Sequence, residues 1–285
     1  MATLPPELWQ QIFLFLPSLE DLAQTSAVCS LFRNLILKKW FLKEYSTRQR
    51  FRFMDNLQIW FKFTERNNLY KNFVSADQTI RSRSAETCPE VQNVFYTDKD
   101  FFYHLPCLRH SNSRISVHYE LAANDFTQWT FSFWIIMCSS DHLKKLAMEF
   151  SFENDTTLQL ELDFHTGSVV ITNTIEKFIE QDCTQLELDK WIHFTLVLEC
   201  KVNENIQVFL NGNRVIDYPC RDSPLLRHSL RRWNLRSWYY FGCLADFCLW
   251  TKKLANYEIR AIAEQKTSID LVDTTKSVFG HTIQY

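Results

Sequence analysis

Residues 4–40 read LPPELWQQIFLFLPSLEDLAQTSAVCSLFRNLILKKW, and the apolar content of this stretch decides how the rest of the chain is understood. Pro6 suits the first turn of a helix, where its missing N–H loses nothing. Leu8, Ile12 and Leu16 then recur every four residues, which puts them on one helical face. Trp9, Phe13 and Phe15 widen that face until only Glu7, Gln10 and Gln11 are clearly polar. A helix apolar nearly all round has to be covered on nearly all sides. Ser18 followed by Asp21 reads as an N-cap with an acidic residue in the first turn of a second helix, which carries Leu19, Leu22, Ala23 and Val28. A third helix follows with Leu31, Phe32, Leu35 and Ile36. Three short helices in about 40 residues cannot cover this much apolar side chain by themselves. The cover comes either from the rest of the same chain or from a partner surface.

The order of residues narrows that choice. Leu-Pro, Glu-Leu, an Ile-Phe pair, a second Leu-Pro, Asp-Leu, Val-Cys, Phe-Arg and a closing Trp stand at the spacing of the F-box, which this stretch resembles. The resemblance implies a docking partner, the Skp adaptor of SCF-type ubiquitin ligases, and through it a cullin. It carries over to Leu4, Pro5, Leu8, Ile12, Phe13, Leu16, Leu22, Val28, Cys29 and Leu35 as adaptor-facing residues. A charge at Ile12 or Leu16 is expected to abolish that interaction.

Working outward, the whole chain sets the limits. Its 285 residues suggest two domains, or one large β domain with an appendage. Hydrophobic residues at 46%, aromatics at 15% and 24 Phe supply a core and argue against disorder. A net charge of −2 gives no global footprint for nucleic acid. The start, MATLPPELW, lacks a basic n-region and an apolar h-region, so no secretory leader is expected. No run approaches the roughly 18 apolar residues of a membrane span. Nine Cys without zinc-finger spacing fit free thiols in a reducing compartment, so the expected location is cytoplasm or nucleus, with no metal and no cofactor.

Phe41 to Trp60 keeps a helix-compatible rhythm through Phe41, Leu42, Tyr45, Phe53 and Leu57, and reads as one or two linker helices. Ser75 to Glu90 is polar and reads as a surface loop. From about residue 110 the apolar period changes to two. Ile115, Val117 and Tyr119 alternate with polar residues. Phe131, Phe133, Ile135 and Met137 alternate with Thr130, Ser132, Trp134 and Ile136, an almost two-sided apolar strand that should be central. Leu158, Leu160, Leu162 and Phe164 alternate with Thr157, Gln159, Glu161 and Asp163, and His165-Thr166-Gly167 turns the chain back. Ile192, Phe194, Leu196 and Leu198 form another strand, as do Ile206, Val208 and Leu210, and Asn211-Gly212 favours a type I′ hairpin. Repeated short strands and turns read as an all-β sandwich.

FTQWTFSFWI, DKWIHFTLVLE, IQVFLNGNRV and WYYFGCLADFCLWTKKLANYEIRAI occur in the order seen in laminin-G/concanavalin-A-like jelly rolls, which this region resembles. The expected class is therefore an α+β multidomain chain. It comprises an F-box at 1–44, a helical linker and loop at 45–100, an antiparallel β-sandwich at 101–266 and a tail at 267–285. Leu254, Ile259 and Ile262 mark a short helix near the end of the sandwich.

Glycosidases on the jelly-roll fold need an acid and a nucleophile flanking one bond. Here Glu161 and Asp163 lack the third carboxylate, whose position is Thr166, so they read as the wet face of a strand and no catalysis is expected. Asp182, Asn203, Asn205 and Asn213 are calcium ligands by type only. His193 reads as a buried structural histidine. The stretch RDSPLLRHSLRRWNLRSW, residues 221–238, reads as a basic rim loop. Arg227, Arg231, Arg232, Trp233 and Arg236 would there recognise an acidic or phosphorylated target. The leading expectation is a non-catalytic substrate receptor of an SCF-type ligase, and the alternative is a lectin-like receptor for glycoproteins.

Overall fold

The computed structural model of the chain describes residues 4–16, 19–62, 74, 91–92, 107–110, 116–120, 126–137, 145–152, 156–173, 177–183, 185–200, 204–220, 230–238, 242–274 and 278. These fall into two compact units, one made of residues 1–55 together with 255–285 and the other of residues 56–254. The expected loop at Ser75–Glu90, the cap at Ser18 and Arg227 lie outside the described residues.

The first unit is helical. Helices α1 (Pro6–Leu14), α2 (Leu19–Val28), α3 (Ser30–Ile36) and α4 (Lys39–Met54) follow one another closely. Pro6 opens α1 as its sequence position predicts, and Pro5 occupies the N-cap with extended backbone. Phe13, Leu14, Leu22, Leu35, Ile36, Phe41, Leu42 and Tyr45 are the shared core of these helices. The chain returns to this unit at α5 (Asn256–Gln265), which places Tyr257 against the same core. Glu258 accepts a hydrogen bond from the Ala255 N–H at 2.7 Å, half of a capping box. Past α5, the Asp273 carboxylate accepts from the Ser46 hydroxyl at 2.9 Å, and the Gln265 side chain pairs with the Asp273 backbone. The C-terminal segment is thus fastened to α4 by polar contacts as well as by packing.

The second unit is a sandwich of two antiparallel sheets. Its strands are β1 (Leu57–Phe61), β2 (Val91–Gln92), β3 (Cys107–His110), β4 (Ser116–Glu120), β5 (Gln128–Met137), β6 (Lys145–Phe152), β7 (Thr157–Asp163), β8 (Ser168–Asn173), β9 (Lys177–Asp182), β10 (Ile192–Glu199), β11 (Asn205–Leu210), β12 (Asn213–Pro219), β13 (Leu230–Trp238) and β14 (Gly242–Trp250). The larger sheet runs β12-β11-β10-β5-β14-β3-β2, with β1 also paired to β14, and the smaller runs β4-β13-β6-β7-β8-β9. Alternate residues of both sheets meet between them. Phe131, Phe133 and Ile135 of β5 share one core with Met148 and Phe150 of β6 and with Phe194 and Leu196 of β10. Phe131 meets Phe150 edge-on at 5.0 Å across the sheets, and Phe133 lies 4.9 Å from Phe194.

Local sequence explains the turns. Asn211 and Gly212 both take positive φ, at 51° and 79°, as a type I′ turn requires. At the β7–β8 turn, Gly167 has φ 68° and the Asp163 carboxylate accepts the backbone N–H groups of His165 and Thr166. Asp246, at φ 49°, sits where the pairing of β14 with β5 slips between Ala245 and Cys248. This bulge turns its carboxylate to accept from the Trp60 indole N–H at 2.6 Å.

Three segments differ from the sequence reading. The helical rhythm expected to continue to Trp60 stops at Met54, and Leu57–Phe61 is a strand paired with β14. Residues 230–238, read as part of a rim loop, form β13, an inner strand hydrogen-bonded to β4 on one side and β6 on the other. α5, placed inside the sandwich range on the sequence, clusters with the helical unit.

Candidate docking surface

The helical unit keeps its own core and still leaves a row of apolar side chains outside. Trp9 and Phe13 of α1 close on Phe32 of α3, with ring centroids at 4.8 and 5.0 Å. Buried Gln10 donates from Nε2 to the Leu35 carbonyl at 2.9 Å, tying α1 to α3. The Tyr45 hydroxyl donates to the Leu16 carbonyl. These contacts fix which side of α1 faces inward. The opposite side presents Leu4, Leu8 and Ile12, exposed by 44%, 43% and 45%. Phe15 at the end of α1, Val28 and Leu31 at the α2–α3 junction, and Trp40 at the start of α4 are also exposed.

Isolated exposed apolar residues are ordinary on protein surfaces. Leu4 just ahead of α1 and Leu8 and Ile12 on it recur every four residues, and with five more large ones in the same unit they form an exposed apolar surface.

The ten residues singled out on the sequence divide accordingly. Leu4, Pro5, Leu8, Ile12, Val28 and Cys29 are exposed, and Leu16 is half-buried. Phe13, Leu22 and Leu35 lie in the unit's own core. In this conformation they support the outward residues and are not available for contact. Conversely, Leu31 and Trp40 are exposed without having been singled out. Helical period marks that a residue is apolar on a face, and it does not say which of two apolar faces is turned inward.

Among the sandwich strands, no side chain that the structure describes is a large exposed apolar one. Arg231, Arg232, Trp233 and Arg236 lie in β13, where the register pairs Arg232 with Glu120 and Ser151, Trp233 with Tyr119 and Phe150, and Arg236 with Ser116 and Ala147. Glu161 and Asp163 are taken up structurally. Lys145 Nζ bridges them at 2.6 and 3.0 Å. Burial pushes the Asp163 pKa up, but the Thr166 N–H, the Lys145 ammonium and the His165 N–H outweigh it and hold the carboxyl below its ordinary range. Lys145 is raised in turn, chiefly by its hydrogen bond to Glu161. A carboxylate committed to a turn and an ammonium is not poised for acid–base work.

His193 is fully buried in β10, with Nε2 2.8 Å from the Ser132 hydroxyl. Burial lowers its pKa to about 3, so the ring is neutral. Ser132 and His193 have almost no solvent access, which makes the pair a structural hydrogen bond and not a nucleophile with its base. Among the described residues no three His, Cys, Asp or Glu side chains converge to hold a metal ion. Asn205 donates to the Asp217 carboxylate, and Asn203 lies outside the described residues. The indoles of Trp60, Trp129, Trp134 and Trp250 are buried, which removes them as stacking platforms for a sugar. No helix among the described residues is long and apolar enough to cross a membrane.

Comparison with known proteins agrees with this division. Residues 1–44 match the F-box-like family. No curated protein sequence matches the chain. Its solved structural neighbours include the receptor-binding domain of botulinum neurotoxin D, at 14% identity and TM-score 0.53, over 75% of this chain and 54% of that one. The binding domain of botulinum neurotoxin DC matches both in complex with rat synaptotagmin II and in complex with SialylT. Each match has 14% identity, TM-score 0.52, 75% of this chain and 52% of the other. The chain spans about half the length of these domains, and at this identity the likeness is one of fold. It describes an F-box-like segment followed by a β-sandwich of the kind found in binding domains.

Proposed function

We propose that the chain is a substrate receptor of an SCF-type ubiquitin ligase. In this reading the F-box-like segment docks on the Skp adaptor, and through it on a cullin, while the sandwich holds the protein to be modified. The observation that carries it is the exposed row of Leu4, just ahead of α1, with Leu8 and Ile12 on a helix whose other side is packed in the unit's own core. No bond is made or broken by this chain. Its contribution is effective concentration, holding a target lysine near the ubiquitin-loaded enzyme. The proposed setting is the cytoplasm or nucleus.

Anchors of this kind sit at the centre of an interface and account for most of its affinity. The direct test is co-purification of the full chain with the Skp adaptor. A stoichiometric complex is expected for the natural sequence and none for Ile12→Asp. A soluble chain that ignores the adaptor contradicts the reading.

The target surface is proposed on the smaller sheet, where β13 places Arg231, Arg232 and Arg236 in a strand rather than a loop. Arginine pairs with carboxylate or phosphate through two parallel hydrogen bonds. An acidic or phosphorylated target is therefore the class proposed, and an unchanged bound-protein profile for Arg231→Glu/Arg232→Glu removes it. The solved complex of a structural neighbour with SialylT favours a second reading, glycan binding by the sandwich. Glycan-array binding lost on Trp238→Ala would select that reading over the first.

A further inference from the structure

A cleft of about 670 Å³ opens between α1 and α4 of the helical unit, walled by Glu7, Gln11, Phe15, Trp40, Glu44 and Arg48. Its apolar surfaces are accessible, with Phe15 exposed by 74% and Trp40 by 53%. Trp40 is held by its edge-on contact with buried Phe41, ring centroids 6.0 Å apart. Two carboxylates and one guanidinium stand around these rings. Arg48 Nε is 3.0 Å from Glu44 Oε1 in an exposed i, i+4 pair. Glu7 adds a second carboxylate, so the walls carry one net negative charge.

The cleft is continuous with the outward row of α1. Glu7, Gln11 and Phe15 are spaced four apart, and each precedes by one residue a position of the row that contains Leu8 and Ile12. Rows of i, i+4 neighbours run side by side along a helix. A partner lying over Leu4, Leu8 and Ile12 therefore meets the cleft at its edge. Aromatic faces beside carboxylates suit a side chain with an apolar stem and a cationic head. The stem lies along the rings, and the head reaches the carboxylates and the indole face.

We infer that this cleft seats a lysine or arginine side chain of the partner that covers the Leu4–Leu8–Ile12 row. The inference rests on the adaptor-docking reading and names an electrostatic contact at the border of that interface. It makes the association sensitive to salt and to the sign of charge at Glu7, which the apolar row alone does not.

The test is calorimetric titration of the full chain with the Skp adaptor at low and high salt, for the natural sequence, Glu7→Lys, Trp40→Ala and Ile12→Asp. Glu7 is exposed, so Glu7→Lys leaves the core intact, and a thermal unfolding curve checks Trp40→Ala. Glu7→Lys is expected to weaken binding about tenfold, with less loss in high salt, and Trp40→Ala about fivefold or more, the range of one ion pair and one cation–π contact. Binding unchanged in both variants but lost in Ile12→Asp overturns the cleft while leaving adaptor docking intact. Failure of the natural sequence to bind the adaptor overturns both.

Discussion

The ten residues of β5 in the sandwich are buried from Trp129 to Met137, on both faces of the strand. More than half of the nine residues of α1 are also apolar, yet Leu8 and Ile12 remain more than two-fifths exposed. Both segments read as strongly apolar in the sequence. The difference lies in what surrounds them. A central strand has neighbours on both edges and layers on both faces, so every residue finds a partner within the chain. A helix at the border of a small unit has one face occupied by α3 and α4, and its other face stays exposed. Apolar content is therefore buried in one region and exposed in the other, and only packing tells them apart.

That contrast can be broken or sharpened by substitution. The largest effect is expected at the sandwich centre. Phe133→Ala leaves a cavity among Phe194, Phe247 and their neighbours and should cost about 3–5 kcal/mol, read from urea unfolding. A loss below about 1 kcal/mol would mean that the two sheets are not packed as described. Next is the buried link between β1 and the β14 bulge. Trp60→Phe leaves the Asp246 carboxylate without its indole donor at 2.6 Å, an expected loss of about 1.5–3 kcal/mol by the same measurement.

The third effect is one of pH. His193 is held near a pKa of 3 in the folded chain against 6.5 when free, so the unfolded chain takes up the proton first. Stability is complete above about pH 6.5 and should fall by up to about 1.4 kcal/mol for each unit below it, until pH approaches the folded value. A urea midpoint that drops between pH 7 and pH 5, with the drop flattened in His193→Gln, is the expected result. An identical drop in the variant would assign the acid sensitivity elsewhere.

Much of this architecture was legible because local signals agreed with their surroundings. The alternation of β7 and the Asn211-Gly212 turn needed no tertiary information. The segments read differently each had a physical reason. In β1, Ile59, Trp60 and Phe61 are buried in succession, so the period of two that marks a half-exposed strand is absent. In β13 the Arg231–Arg232 doublet hides an alternation that becomes plain in the register. There Trp233 and Leu235 stand opposite Phe150 and Met148 of the core strand β6, while the pairing slips between Leu230 and Arg232. The exposed apolar surface of the helical unit was legible as a quantity of uncovered side chain. Its composition was not, because Phe13, Leu22 and Leu35 follow the same period as their exposed neighbours and turn inward only in the shared core of α1 to α4.

The central claim, that the outward row of α1 exists for a partner, is tested most directly by measuring stability and adaptor affinity on the same variant, Ile12→Asp. The account predicts an unfolding free energy within about 0.5 kcal/mol of the natural sequence, as for an ordinary surface substitution, together with a loss of adaptor affinity of at least about a hundredfold. A variant that unfolds more easily by several kcal/mol would show Ile12 to be part of the chain's own core, and one that keeps its affinity would show the row to serve no docking at all.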